Sequence, residues 1–288
     1  MSTNFQIGRF QILKTLGTGA HSTILHIRRV QDAKQYALKV VPIDGSEDFK
    51  YREQAEHEFA IGRMLNHPNL IKIYALEVQR DWLFRVRKLH LLLEYVNGRT
   101  LDMLRRMPIP VLLQIFAKVA AGMVHMHQKQ ICHADLKPNN VMLSVTGEVK
   151  ILDYGLAWRK GENKNRVQGT PEYMAPEQAR KKIVNELTDI YNFGAMMYRL
   201  VTWRHPPSVI AQPGGISLDA KTWDQAIKPV RECCADAPPQ LCDLIQRCLS
   251  YKPSRRPQQM LELKETLDLL VRKCVPSGKR LEEIDIQW

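Results

Sequence analysis

Hydrophobic and polar positions alternate along the start of the chain. Over residues 9–43 this two-residue period, broken at Gly17 and Gly19, predicts three short antiparallel strands. Then the period changes. Phe49, Ala55, Phe59, Ile61, Met64 and Leu65 fall near helical spacing and predict a helix over 48–66. It stops before His67-Pro68, because proline disfavours helical geometry in the residue ahead of it. Strands are expected over 71–79 and 84–96, the second carrying Leu91-Leu92-Leu93. Beyond them the spacing is helical over 110–129, 186–202, 238–250 and 257–273. A β-rich first third followed by a helical remainder, with the change near Asn97-Gly98, is an α+β order and not alternating βαβ. No internal repeat or low-complexity segment interrupts it.

The chain has 288 residues, 44% of them hydrophobic and 25% charged. That allows one large domain or two modest ones and excludes disorder as the dominant state. Lys and Arg outnumber Asp and Glu by 42 to 30, a formal net charge of +12. Such a surface attracts nucleic acid, acidic protein and anionic lipid alike. The excess is spread: residues 1–96 hold 14 basic and 10 acidic residues, and 97–288 hold 28 and 20. No aromatic-basic interleaving supports a specific nucleic-acid partner. The six cysteines, Cys132, Cys233, Cys234, Cys242, Cys248 and Cys274, form no C-x-x-C pair. They are expected as buried, reduced thiols of a cytoplasmic protein. The N-terminus has no charged-then-apolar leader, and no apolar run reaches about 18 residues. Neither a signal peptide nor a membrane span is therefore expected.

Three stretches carry chemistry. In Leu16-Gly17-Thr18-Gly19-Ala20-His21-Ser22 two glycines let backbone amides approach a bulky anion such as phosphate. A glycine-rich hairpin turn is the other reading of the same residues, and Ser22 stands where a third glycine would complete a longer motif. In Tyr36-Ala37-Leu38-Lys39-Val40-Val41 a lysine lies inside an apolar strand. It faces either solvent or an anion, and a helix carboxylate such as Glu58 is a candidate partner. The decisive stretch is Cys132-His133-Ala134-Asp135-Leu136-Lys137-Pro138-Asn139-Asn140, followed by Leu152-Asp153-Tyr154-Gly155. One carboxylate there can orient a hydroxyl nucleophile. Another carboxylate and an amide oxygen are hard ligands suited to Mg²⁺, and the lysine can neutralise a transferred group.

On these residues the sequence resembles the eukaryotic-type (Hanks-type) serine/threonine protein kinases, from about Ile12 to Leu270. Its compact form is similar to a stand-alone bacterial member. The resemblance implies a bilobal fold: an N-lobe over 1–96, a helical C-lobe over 97–274 and a short tail over 275–288, with ATP in the cleft. It implies Mg²⁺ on Asn140 and Asp153, Lys39 on the α- and β-phosphates with Glu58 as its partner, and Asp135 on the acceptor hydroxyl. Glu58 fits better than Glu53 or Glu56, because it precedes His67-Pro68-Asn69 by the family's spacing. Lys137 steadies the γ-phosphoryl, and Thr170 contacts Asp135 and Lys137. Gly17 and Gly19 cover the phosphates. Ile24, Ala37 and Met142 enclose the adenine, with Leu93 as gatekeeper and Glu94 and Val96 in the hinge. Glu177 and Arg256 form a buried structural pair, and His127 is structural. The implied substrate is a protein, phosphorylated on Ser or Thr.

Three departures from the family pattern stand out. Ala134 replaces the arginine that receives an activation-loop phosphate, and the segment from Gly155 to Gly169 contains no Ser, Thr or Tyr. The two absences agree, and activity without phosphorylation of that segment is expected. Gly62 stands where the family packs an apolar residue, and Tyr154 replaces a phenylalanine. The expectation is that Tyr154 or Met64 fills the space, and that the tyrosine hydroxyl needs a partner if buried. Because of these departures, a weak or inactive pseudokinase that binds ATP as a scaffold is the alternative. Arg159, Lys160, Lys164, Arg166, Arg180, Lys181 and Lys182 favour acidic residues flanking the acceptor. Leu281, Ile284, Ile286 and Trp288 give the tail an apolar docking face.

Overall fold

The computed structural model describes residues 7–19, 21–45, 48–160, 168–181, 185–208, 220–275 and 281. Lys164, Arg166, Lys182, Ile284, Ile286 and Trp288, singled out above, lie outside these residues. The chain divides into two compact units, one made of Met1–Asn66, Leu70–Asn97 and Asp153–Gly155, the other of His67–Asn69, Gly98–Leu152 and Leu156–Trp288.

The first unit is built on one antiparallel sheet. Strands β1 (Phe10–Thr18), β2 (Thr23–Arg29), β3 (Gln35–Pro42), β4 (Ile73–Arg80) and β5 (Val86–Glu94) lie in the order β1-β2-β3-β5-β4. Alternation puts Ile27, Leu38 and Leu92 together at the centre of one face, with Phe10, Leu25 and Tyr36 packed on them. Helix α1 (Phe49–Met64) packs against β3, β4 and β5. Its buried stripe is Ala55, Glu58, Ile61 and Gly62, so a carboxylate lies among the residues that face inward.

Gly62 is explained by what lies over it. A Cβ added there would come within 2.5 Å of Ile73 Cδ1 and 2.7 Å of Ile73 Cγ1. The space is filled by Ile73 of β4. Met64, expected to share that task, is 38% exposed and does not. Tyr154 is fully buried, and its hydroxyl donates to the Ile71 carbonyl at 2.9 Å. That bond supplies the partner its polar group requires.

The second unit is mostly helical. Three short strands, β6 (Gly98–Thr100), β8 (Val141–Ser144) and β9 (Val149–Ile151), form one sheet, and β7 (Ile131–Cys132) pairs with β10 (Trp158–Arg159). The helices are α2 (Ile109–Gln128), α3 (Pro176–Lys181), α4 (Glu186–Thr202), α5 (Ala220–Ala226), α6 (Val230–Cys233), α7 (Pro239–Cys248) and α8 (Met260–Cys274). Helix α2 packs chiefly on α8, and also on α4, β7 and β9. Over an 18-residue window its mean hydropathy is 1.6, so by length and composition alone it could cross a membrane. Gln114, Lys118, His125 and His127 interrupt its apolar sequence, and the core helix of a water-soluble domain passes the same test. Its apolar residues, among them Leu112, Ile115, Phe116, Val119 and Met123, are buried in the core of this unit. None of the six cysteines forms a disulfide; Cys132, Cys242 and Cys248 are buried, while Cys233, Cys234 and Cys274 are only half-buried.

Gly62→Leu should overpack Ile73 and lower stability by about 1–3 kcal/mol. The companion change Ile73→Ala should recover part of that loss in a double-mutant cycle read by urea unfolding. A Gly62→Leu protein more stable than the parent would show that the space is not filled.

Candidate functional site

Two constellations emerge, one in each unit. In the first, β3 carries Lys39 between Ile24 of β2 and Leu91 of β5 in the register. The Lys39 ammonium donates to Glu58 Oε2 at 2.7 Å and stands 3.8 Å from Asp153 Oδ1. Glu58 is only 3% exposed. Burial alone would lower the Lys39 pKa, but the charges of Glu58 and then Asp153 outweigh it and hold the ammonium protonated. Burial pushes the Glu58 carboxyl upward against the pull of Lys39, and the Asp153 charge adds to the rise. Asp153 has φ 60°, in the left-handed region that only a well-supported side chain occupies. Its Oδ1 accepts from the Gly155 amide at 3.0 Å.

The glycine turn closes through the Gly19 amide, which donates to the Ser22 carbonyl at 2.8 Å. Gly17 lies opposite Ile24, beside a register shift in β1. A Cβ at Gly17 would meet nothing within 4 Å. Close packing within the described fold is therefore not what asks for glycine there. Ala37 is buried and Leu93, opposite it on β5, is half-buried, as is Ile24. Glu94 accepts from the Lys72 amide at 3.2 Å through Oε2, and Val96 is half-buried just past the strand end.

The second constellation is centred on Asp135. Its Oδ1 accepts from the Thr170 amide and the Thr170 hydroxyl, both at 2.9 Å. Its Oδ2 accepts from Lys137 Nζ at 2.8 Å and, more weakly, from Asn140 Nδ2 at 3.3 Å. Lys137 also donates to Thr170 Oγ1 at 2.5 Å. Asn140 Nδ2 donates to the Asp135 carbonyl at 2.8 Å, while its amide oxygen makes no hydrogen bond among the described residues. Met142 sits on β8, opposite Thr100 and Lys150 and half-buried.

The loop that carries Asp135 is shaped from below. Asp189, in the first turn of α4 and fully buried, accepts from the amides of His133 at 2.9 Å and Ala134 at 2.8 Å, and from His127 Nε2 at 2.8 Å. His133 Nε2 in turn donates to the Leu152 carbonyl at 3.1 Å. Glu177 and Arg256 form a two-pronged pair at 2.7 and 2.9 Å, with Arg256 fully buried and also donating to the Leu187 carbonyl at 2.8 Å.

Sequence reasoning missed Gln178. It is 1% exposed, and its Nε2 donates to the Ala134 carbonyl at 2.9 Å and the Gln168 carbonyl at 3.0 Å. Its Oε1 accepts from the Ala175 amide at 3.3 Å. One neutral side chain thus ties the Asp135 loop to the segment preceding Thr170. A cavity of about 290 Å³ opens beside Thr170, lined among others by Asp102, Asn139, Glu172, Tyr173 and Arg199. Of the basic residues singled out in the sequence, none that is described lines it. Lys160 lies 3.6 Å from Glu186, and Arg180 donates to the Tyr251 hydroxyl.

A strand lysine on a helix glutamate and an aspartate braced by lysine, threonine and asparagine are the arrangement expected of a phosphoryl-transfer domain. The chain belongs to the protein kinase domain family, whose model matches residues 10–267. It is similar to serine/threonine-protein kinase PrkC of Bacillus subtilis, 30% identical over 207 residues, covering 69% of this chain and 31% of that protein. Serine/threonine-protein kinase PknB of Mycolicibacterium smegmatis is 28% identical over 276 residues, covering 90% and 42%. The yeast cAMP-dependent protein kinase type 3 is 30% identical over 209 residues, covering 71% and 51%. The chain thus spans about a third to a half of the length of these relatives.

Gln178→Leu keeps the volume and removes the donors, leaving two buried carbonyls and an amide without this partner. The expected cost is about 1–3 kcal/mol, read as a lower urea midpoint. An unchanged midpoint would mean that water replaces the amide at no cost.

Proposed function

We propose that this domain transfers the γ-phosphoryl group of Mg²⁺-ATP to Ser or Thr hydroxyls of protein substrates. The observation that carries the reading is Asp135: a carboxylate held by Thr170, Lys137 and Asn140 in a fixed direction, as a group that orients a hydroxyl and takes up its proton must be. The donor set fits the metal. Asn140 keeps an amide oxygen uncommitted among the described residues, and the Asp153 carboxylate is 46% exposed. Two such hard oxygens suit Mg²⁺, which would neutralise phosphate charge. Lys39, charged and aimed by Glu58, serves the phosphates, and Lys137 steadies the transferred group. The hydrophobic surface for the adenine is assigned to Ile24, Ala37 and Met142.

The chain carries Lys39, Glu58, Asp135, Asn140 and Asp153, the residue types this chemistry needs, which favours an enzyme over an ATP-binding scaffold. Incubation with Mg²⁺-ATP and a protein acceptor should give phosphate incorporation, and Asp135→Asn should lower it by about 10²–10⁴-fold. Incorporation equal in parent and Asp135→Asn, or absent from both, would leave the scaffold reading standing.

Activity should not require phosphate on the segment between Gly155 and Gly169. The support is Gln178, which makes by neutral hydrogen bonds the tie that a phosphate and an arginine would otherwise make. Phosphatase-treated protein should keep its rate within about twofold, a change of about 0.4 kcal/mol in barrier. Loss of activity that returns only on modification of that segment would refute this.

For flanking residues we propose a preference for acidic side chains, presented to Arg199 in the cavity beside Thr170. Arg199 stacks on Trp203 at 5.2 Å, and among the described residues it has no carboxylate partner. A peptide array that favours arginine next to the acceptor would point to Asp102 and Glu172 instead. We also propose a cytoplasmic location, a reading supported by six cysteines without a disulfide and by the proposed use of ATP.

A further inference from the structure

The turn between β4 and β5 takes no part in this chemistry, yet it is built with care. Trp82 is 85% exposed, Leu83 45% and Phe84 79%, three consecutive large apolar side chains at the tip of a hairpin. Neither ring stacks on another aromatic residue among those described. The tip is rigid. Asp81 Oδ1 accepts from the amides of Leu83 at 2.9 Å and Arg85 at 3.0 Å, and Oδ2 accepts from Arg87 Nε at 3.0 Å. The Asp81 amide donates to the Arg85 carbonyl, the Phe84 amide to the Asp81 carbonyl, and Arg80 Nη1 to the Phe84 carbonyl. Together these bonds hold Phe84 at φ 61°, a conformation a side chain rarely adopts without support.

The surroundings are cationic. Arg80, Arg85, Arg87 and Lys88 are all exposed. The one acid in the turn, Asp81, is engaged by the bonds above, and its side chain is 15% exposed. Ile43 pairs with Arg87 across the strand ends, and beyond it Asp48 is turned inward onto the amides of Asp44 and Gly45. Among the described residues, Asp44 follows Ile43 directly in the chain.

We propose that residues 80–88 form a peripheral membrane-binding tip, which places Trp82 and Phe84 among the headgroups of an anionic lipid surface. The exposed rings stand at a hairpin tip among four exposed bases, and that charge is complementary to an anionic surface. A bilayer interface accepts such a tip, because the rings reach the acyl boundary while the bases meet lipid phosphates. Preorganisation by Asp81 means that little ordering entropy is lost on binding. The reading is independent of the catalytic one.

The test is sedimentation of the whole chain with vesicles of phosphatidylcholine alone, or of phosphatidylcholine mixed with phosphatidylglycerol. Binding should appear with the anionic lipid and weaken with salt. Trp82→Ser with Phe84→Ser should lower it at least tenfold. Arg85→Ser and Lys88→Ser should each lower it about fivefold, the factor corresponding to about 1 kcal/mol per base. All four positions are exposed and outside the site, so thermal midpoint and phosphate transfer to a soluble acceptor should be unchanged. Equal binding to both kinds of vesicle, or undiminished binding by the double serine variant, would overturn the assignment. So would self-association without lipid that the double variant abolishes. Binding of oligoglutamate, lost in the variant and without vesicle binding, would reassign the tip to a protein partner.

Discussion

One fully buried carboxylate shapes the second unit. Asp189 sits in the first turn of α4, where unpaired amides favour negative charge, and Asn185 and Thr188 cap the same turn reciprocally. It accepts from two consecutive loop amides, and those bonds fix His133 and Ala134 with Ala134 at φ 65°. Asp135 follows directly, so its direction is inherited from Asp189. Thr188 also donates to Glu177, which holds Arg256, which in turn takes the Leu187 carbonyl at the start of α4. Buried charges of this kind add little net stability over apolar residues, yet removing any one strands the others. Their effect is to allow a single geometry for the loop.

The first unit uses charge differently. Lys39 faces two carboxylates, Glu58 at 2.7 Å and Asp153 at 3.8 Å. Glu58 is buried and fixed on the inward stripe of α1, while Asp153 is half exposed. The accessible group of the two is thus Asp153, with its side chain 46% exposed. A buried lysine that stays protonated and an exposed carboxylate beside it are complementary to a metal-bound polyphosphate, which brings charge of both signs.

Long periodic elements could be read from the sequence because their signal is local: α1, α2, α4, α7 and α8 and the five strands of the sheet stand within a few residues of expectation. Three short helices, Pro176–Lys181, Ala220–Ala226 and Val230–Cys233, span too few turns to show a period. Asp135 and Asn140 stand out in the sequence because they share one short motif, and Asp153 because it lies in a second motif soon after. Gln178 could not, since a glutamine has no chemical signature and its partners lie 10 and 44 positions away. Gly62 reads as a gap in the sequence, but its filling comes from Ile73 on strand β4, which no local pattern encodes. The start of β5 shifted for a similar reason. Alternation runs on through Phe84, but Asp81 captures the Leu83 and Arg85 amides and turns the chain, so the strand begins only at Val86.

That capture bears on the excess of positive charge. A hairpin closed by Asp81 needs no tryptophan or phenylalanine at its tip. Polar residues would satisfy the same turn and leave less apolar surface in water. Nor does the fold need four bases around it, since β4 is an edge strand that one or two charges would protect from pairing. Asp81 explains why the tip has its shape, and folding leaves its composition unexplained. Exposed rings and clustered bases each carry a cost when left in water together, through apolar hydration and mutual repulsion. An anionic interface relieves both at once, which neither a neutral surface nor a soluble polyanion would do.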